Sequence, residues 1–434
     1  MKTEKIVLIG AGSLQFGLGT VGNIIRSDIL KESRIMLHDI NPETLALAFK
    51  ACQAAIDRKN LDIGLESTID RTEALKNATF VINSIEVPPR FELLQQDYGI
   101  PRKHGCKQVT GENGGPGGLF HSIRVIPPIL KICEDIQKIC PNALIINFSN
   151  PMSRICLAIK RKFPALKCVG LCHEFQHFQP FLSKICKTPI ENLELRGAGL
   201  NHFGVILSAK YKDSGKDAYP DIRRNGPDFL NTFNAYDGLK LVACILQTYG
   251  YVPYTPDSHY GEYLQWAWEK ADITAISKFW ESYQLDLTDT FNRLKRAIER
   301  GKGALLVKPD EERAIPIIEG ILTDRKYEEP SVNIPNTGLI INLSLDLVIE
   351  GPATINKKGV TGIKIGEYPK SLAALLRNQA SIQDLVVESI LQKSKDLLLH
   401  ALLADPTIET YTQARNILNE MLSLQKDYIQ IEFT

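Results

Sequence analysis

The chain has 434 residues, 44% apolar and 23% charged, with a formal net charge of +1. That length and composition fit a globular protein with a sizeable core, either one large α/β enzyme or two to three domains. The balanced charge leaves no global field for nucleic acid or an acidic membrane surface, and no apolar run is long enough to span a bilayer.

The first predicted element is a buried strand at 6–9, inside KIVLIGAGSLQFG at 5–17. A short apolar run entering a glycine turn and then a helix is the opening of a dinucleotide-binding unit. Gly10 would permit the tight turn, and Gly12 would let a pyrophosphate approach the backbone at the next helix's N-terminus. Ser13 follows on the same loop. The third glycine of the fingerprint is absent: Gln15 stands there, and Gly17 comes two residues later. The second strand is predicted at 34–38, with Asp39 at its carboxyl end, where an NAD-type ribose diol is held and a 2′-phosphate repelled. A place beside a helix N-cap is the structural alternative for Asp39.

Further parallel strands are predicted at 79–85 and 143–151, each after an amphipathic helical stretch and each ending in polar residues. Ligands in such sheets sit at the carboxyl ends of the strands. That places Asn83, Ser84, Asn147, Ser149 and Asn150 at the ligand edge, with Asn83 and Asn150 as cofactor candidates. A strand over 167–171 then delivers Cys172, His173 and Glu174 to the same edge, with His177 a turn later. In RGAGLNHFGVIL at 196–207, Asn201 and His202 precede another apolar run. A thiolate with an imidazole suits Zn, Mn, Fe or Co, and two protein ligands leave positions open for substrate oxygens. The alternative for a histidine before a strand is a satisfied structural side chain.

These pieces resemble glycoside hydrolase family 4, the NAD- and divalent-metal-dependent glycosidases. The resemblance rests on IGAGS at 9–13, GPGGLFHSIRVIP at 115–127, NFSNPM at 147–152, GLCHE at 170–174 and AGLNHF at 198–203. It continues through YGYVPYTPDSHYGEY at 249–263 and NIPNTGLIINL at 333–343, so it spans nearly the whole chain. The segments LVIEGPATINKKGV and YPKSLAALL are most similar to the α-galactosidase and α-galacturonidase branch. The resemblance implies a reaction in which NAD⁺ transiently oxidises the sugar at C3, a base removes the acidified C2 proton, and the C1 leaving group is eliminated. It further implies that Cys172 and His202 hold Mn²⁺ or another divalent metal. Asn150 would touch both sugar and nicotinamide, and His173 would stand near the leaving-group oxygen. Where phosphoglycosidases carry Asp or Asn, the histidine points to an unphosphorylated α-galactoside, α-galacturonide or α-glucoside. Asp257 fits the position of the base in α-acting members, with His259, also a substrate contact, and Tyr260 as rivals. Arg90, in VPPRFE, would either bind a substrate carboxylate or phosphate or be a solvated loop charge. Pro88-Pro89 and Glu174 depart from the α-galactosidase pattern.

The expected fold is α/β. It has a Rossmann-like doubly wound parallel sheet of the lactate/malate dehydrogenase type over 1–195 and an α+β substrate and metal domain over 196–434. In the second half, strands are predicted at 202–208 and 338–349 and helices at 286–300, 371–403 and 404–422. Nine cysteines without CxxC spacing suit reduced thiols and a cytoplasmic location. The expected partner is a small sugar or oligosaccharide, and the expected assembly a homo-oligomer, dimer or tetramer. A lactate/malate-type dehydrogenase and a non-catalytic NAD-binding redox sensor are the competing readings. Neither needs Cys172, His202 and Asn150 together.

Overall fold

The computed structural model describes residues 3–13, 16–233 and 237–434. Gln15, at the place of the missing third glycine, lies outside them. Six parallel strands form the first half of the sheet: β1 (Lys5–Ile9), β2 (Arg34–His38), β3 (Gly64–Thr68), β4 (Phe80–Asn83), β5 (Leu144–Asn147) and β6 (Lys167–Gly170). Their order is β3-β2-β1-β4-β5-β6, the doubly wound Rossmann order. The order reverses between β1 and β4, and this is where such a sheet opens a crevice at its carboxyl edge. β4 and β5 are buried throughout and read as continuous apolar runs. β3, GLEST, lies half exposed at the sheet edge and lacks that signal.

The second half continues the same sheet in antiparallel fashion through β7 (Leu193–Leu200), β8 (Phe203–Tyr211), β9 (Tyr327–Pro335) and β10 (Val348–Asn356), in the order β6-β9-β10-β7-β8. A short β11 (Gly359–Gly362) pairs with β10. The join is narrow, one pair between Gly170 and Asn333. The expected domain boundary at 195/196 falls inside β7.

Several element expectations shift. The helix expected at 286–300 begins earlier and spans Ile273–Glu299. The segment 371–403 is two helices, Lys370–Gln392 and Lys395–Ala404. Lys393 breaks it at φ 57°, and Ser394 caps the second helix by accepting from the Leu397 amide. The last helix is Tyr411–Leu424. Of the strand expected at 338–349, only Val348 and Ile349 belong to one. Leu339, Ile340, Leu343 and Leu347 are buried, but as anchors of a loop. Asn336 holds that loop by accepting from the Ile340 amide and donating to the Ile340 and Ser344 carbonyls. An apolar run cannot by itself distinguish a strand from a buried loop.

The C-terminal helices complete the first half's core. Ile382, Val386, Leu398 and Ile417 pack in one cluster with Val7, Ile9, Phe120, Ile123 and Ile155.

Candidate active site

A cavity of about 1420 Å³ runs along the carboxyl edge of the sheet. Single-ligand sites are usually ~300–1,000 Å³, so this one has room for a dinucleotide and a sugar side by side. Its lining begins at the β1 turn with Gly10, Gly12 and Ser13 and at Asp39 after β2. Gly10 has φ +88°, and a Cβ there would sit 3.0 Å from the Ser84 backbone. Gly12 lines the cavity and also has a role within the loop. Its amide donates to Asp39 Oδ2 at 2.8 Å, and a Cβ would strike Asp39 and Thr44. Asp39 Oδ1 accepts from the Asn41 amide, and Asn41, not Asp39, caps the helix Pro42–Arg58. Asp39 therefore ties the glycine loop to the end of β2 while still facing the cavity.

Ser84, Ser149 and Asn150 also line the cavity, and the buried Oδ1 of Asn150 has no protein partner. Asn83 does not reach it. Its Nδ2 donates to Asn147 Oδ1 (2.8 Å) and Ser149 Oγ (3.1 Å), so it stitches β4 to β5 beneath the lining. The expectation of a cofactor contact for Asn83 is corrected accordingly.

At the centre, Cys172 follows β6 and His202 occupies the two-residue turn between β7 and β8, rather than opening a strand. The turn requires φ +59° at His202, a left-handed conformation that histidine adopts more readily than most residues. It brings His202 Nε2 to 3.2 Å from Cys172 Sγ. Burial, with the charges of His259 and His173, holds His202 well below its ordinary pKa, so the imidazole is neutral. Burial, with Glu350 and Glu174, holds the Cys172 thiol well above its own. Under the pair lies a buried chain the sequence reading missed. Asn201 Nδ2 donates to Glu350 Oε2 (2.7 Å), and Ser331 Oγ donates to Glu350 Oε1. Burial raises Glu350 to about 7 despite these donors.

The far end is rich in carboxylates: Glu86, Glu112, Glu174, Asp237 and Glu312 all line it. Arg90 reaches the cavity, but its guanidinium is shared among Glu112 (3.1 Å), Tyr283 Oη (3.2 Å) and Glu86 (3.8 Å). It is neither a solvated loop charge nor an uncommitted anion receptor. His173 Nδ1 lies 3.0 Å from Glu312. Although burial opposes it, the Glu312 contact and the charge of Glu174 raise His173 to about 9. His259 stacks on His202 with ring centroids 4.4 Å apart and faces the cavity, and its buried Nδ1 lacks a hydrogen-bond partner.

Asp257 is not a cavity residue. Its side chain is fully buried, and Oδ1 accepts from the Leu241 and Val242 amides (2.9 and 3.1 Å). Oδ2 accepts from the Asp272 amide at 2.9 Å. The carboxylate caps the helix Lys240–Tyr249 and ties it to the next loop, which corrects the expectation of a catalytic base there. Tyr260 is also buried, packed on Phe203. Of the three base candidates, only His259 lines the cavity. Glu112 and the aromatic wall of Phe279, Trp280 and Tyr283 were not anticipated. The signal for Glu112 was present in TGENGG at 110–115. Glu262 pins that loop by accepting from the Thr110 hydroxyl and the Glu112, Asn113 and Gly114 amides.

Sequence comparison matches residues 5–188 to the family 4 glycosyl hydrolases and residues 197–408 to the C-terminal domain of that family. An alpha-glucosidase of Erwinia rhapontici is 42% identical over 98% of both chains. An alpha-galactosidase of Bacillus subtilis is 30% identical over 98% of this chain and 97% of its own. In fold, a 6-phospho-alpha-glucosidase from gut microorganisms superimposes with a TM-score of 0.86 at 20% identity over the whole of both chains. With the two family segments covering most of its length and relatives matched nearly end to end, the chain belongs to family 4 of the glycosyl hydrolases.

Proposed function

We propose that the protein cleaves an unphosphorylated α-glucoside, with NAD at the glycine-loop end of the cavity and Mn²⁺ or a similar cation between Cys172 and His202. The observation that carries this reading is the 3.2 Å approach of Cys172 Sγ to His202 Nε2 on the wall of the cavity that also exposes Gly10, Ser13 and Asp39. Two adjacent ligands of one octahedral or tetrahedral ion, with bonds of ~2.0–2.3 Å, lie ~3–3.5 Å apart, so the pair fits a shared cation. The unpartnered Asn150 Oδ1 and the Asp39 carboxylate fit a dinucleotide and its sugar hydroxyls. The neighbour of like fold was solved with NAD and Mn²⁺, which supports the same pair of cofactors here. When bound, NAD supplies a hydride acceptor for the sugar's C3, and the cation supplies a Lewis acid for its C2 and C3 oxygens.

The chain's own groups do the rest. His173, held protonated at neutral pH by Glu312, is placed to give a proton to the leaving-group oxygen. His259, stacked on His202, is the cavity-facing group assigned to the C2 proton. Although burial opposes it, the charges of Glu112 and Glu262 raise its pKa, and it serves as base in its neutral form. The aromatic wall offers flat apolar faces to a sugar ring. Two observations favour a neutral sugar. Arg90 is already shared by two carboxylates, and the remaining acids at that end would repel a phosphate or a uronate. The alpha-glucosidase relative supports gluco configuration.

The test is a panel of p-nitrophenyl α-glucoside, α-galactoside, α-galacturonide and 6-phosphorylated glucoside, with NAD⁺, Mn²⁺ and a reductant. Cleavage of the neutral α-glucoside without net NADH is expected. Preference for a phosphorylated or uronic substrate would contradict the reading. NADH accumulation would point to a dehydrogenase, and NAD binding without turnover to a sensor.

A further inference from the structure

Residues 173–177 read His-Glu-Phe-Gln-His, and they open the helix Glu174–Cys186 with His173 as its N-cap. Two histidines at i and i+4 with a glutamate between them, on one helical turn, is a metal-binding spacing. The structure gives it metal-binding geometry as well. The two imidazole rings lie 4.2 Å apart, and one ligand atom from each of His173, Glu174 and His177 falls within 4.8 Å of the others. His173 Nε2 and Glu174 Oε1 are 3.6 Å apart, close to the ~3.4 Å between two ligands of a tetrahedral ion with bonds of ~2.0–2.1 Å.

The flanking carboxylates supply what such sites usually recruit. Glu312 Oε1, 3.0 Å from His173 Nδ1, fixes the ring so that Nε2 is left for a ligand. Glu311 Oε2 lies 3.3 Å from His177 Nε2 and offers a fourth ligand, a second carboxylate oxygen. All five side chains line the cavity, so an ion can enter.

We propose that His173, Glu174 and His177 form a second divalent-cation site, separate from the Cys172–His202 pair, that takes Zn²⁺ in preference to Mn²⁺ and silences the enzyme. Two imidazoles with carboxylates favour zinc over manganese in the general order of affinities. The inhibition rests on the glycosidase reading, in which His173 gives its proton to the leaving group. A cation on Nε2 takes the lone pair that would carry that proton. The binding does not depend on that reading.

The test uses the full-length chain freed of metal. Calorimetric titration with Zn²⁺ should give two equivalents for the wild type and one for each of Cys172→Ser, His177→Ala and Glu174→Gln. Mn²⁺ should give one. In the Mn²⁺-loaded enzyme with p-nitrophenyl α-glucoside, added Zn²⁺ should inhibit. In His177→Ala, measured against that variant's own zinc-free turnover, the half-inhibiting concentration should rise at least ~10-fold. Two equivalents retained by both His177→Ala and Glu174→Gln would overturn the site. Undiminished inhibition of His177→Ala would overturn the silencing and place it at Cys172–His202. Two equivalents falling to one in His177→Ala, in a protein with no glycosidase activity, would support the site and defeat the glycosidase reading instead.

Discussion

Asp257 gives both carboxylate oxygens to backbone amides, whereas His259, two residues on, faces the cavity. Substitution should separate the two. In Asp257→Asn an amide NH₂ must face one of the three N–H donors, and an unsatisfied buried donor costs about 1–3 kcal/mol. Thermal unfolding should shift down while kcat falls less than ~10-fold. His259→Asn should do the reverse, losing ~10²–10⁴ in kcat as a general base does, with little change in Tm. The cost at Asp257 should also depend on pH. Burial, only partly opposed by the amides, raises its pKa to about 6, above the ordinary 3.8. The folded state therefore binds more protons between those values, and this carboxyl's contribution falls as pH rises through that window. Chemical denaturation should show the wild type's advantage over Asp257→Asn shrinking from pH 4 to pH 7. The sequence did not reveal this, because a carboxylate after a proline looks the same whether it caps a helix or faces a ligand. Cys172 and His202 were legible because each stands at the end of an apolar run in a recognisable motif. Glu350 was not, since a lone glutamate within a strand carries no sign of what it supports.

At the scale of elements, the glycine loop and the 110–115 loop are each held by one carboxylate. Asp39 binds the Gly12 amide, so Asp39→Ala should weaken NAD⁺ binding through the loop as well as through the ribose. Fluorescence titration should show NAD⁺ affinity falling and any preference over NADP⁺ shrinking. Unchanged affinity for both would remove Asp39 from the site. Glu262 accepts four donors from the loop that carries Glu112. The central parallel strands were legible as continuous apolar runs. β9, YEEPSVNIP, was not, because its charged Glu329 disguises a buried strand position, where it is accommodated by pairing with Arg313 and a hydrogen bond from Tyr327. The helix Ile273–Glu299 was placed too short, and its aromatic residues at 279, 280 and 283 were missed because they face a cavity rather than a core.

For the molecule as a whole, one sheet and shared cores cross the expected boundary at 195/196. Without the C-terminal helices, Val7, Phe120, Ile123 and Ile155 lose the cover of Val386, Leu398 and Ile417. A fragment of residues 1–195 should therefore fail to show a cooperative thermal transition by circular dichroism, whereas the full chain should unfold cooperatively. A stably folded fragment would show instead that the two halves fold independently. All nine cysteines are free thiols, and among the described residues no helix is long and apolar enough to cross a membrane. The central claim is that glycoside cleavage in this cavity proceeds by removal of the C2 proton, not by displacement between two carboxylates. Turnover of p-nitrophenyl α-glucoside in D₂O, with NAD⁺ and Mn²⁺, tests it most directly. Proton magnetic resonance of the released glucose should show deuterium at C2, with cleavage abolished when NAD⁺ is withheld. Glucose bearing only protium at C2, released at the same rate without NAD⁺, would contradict the account.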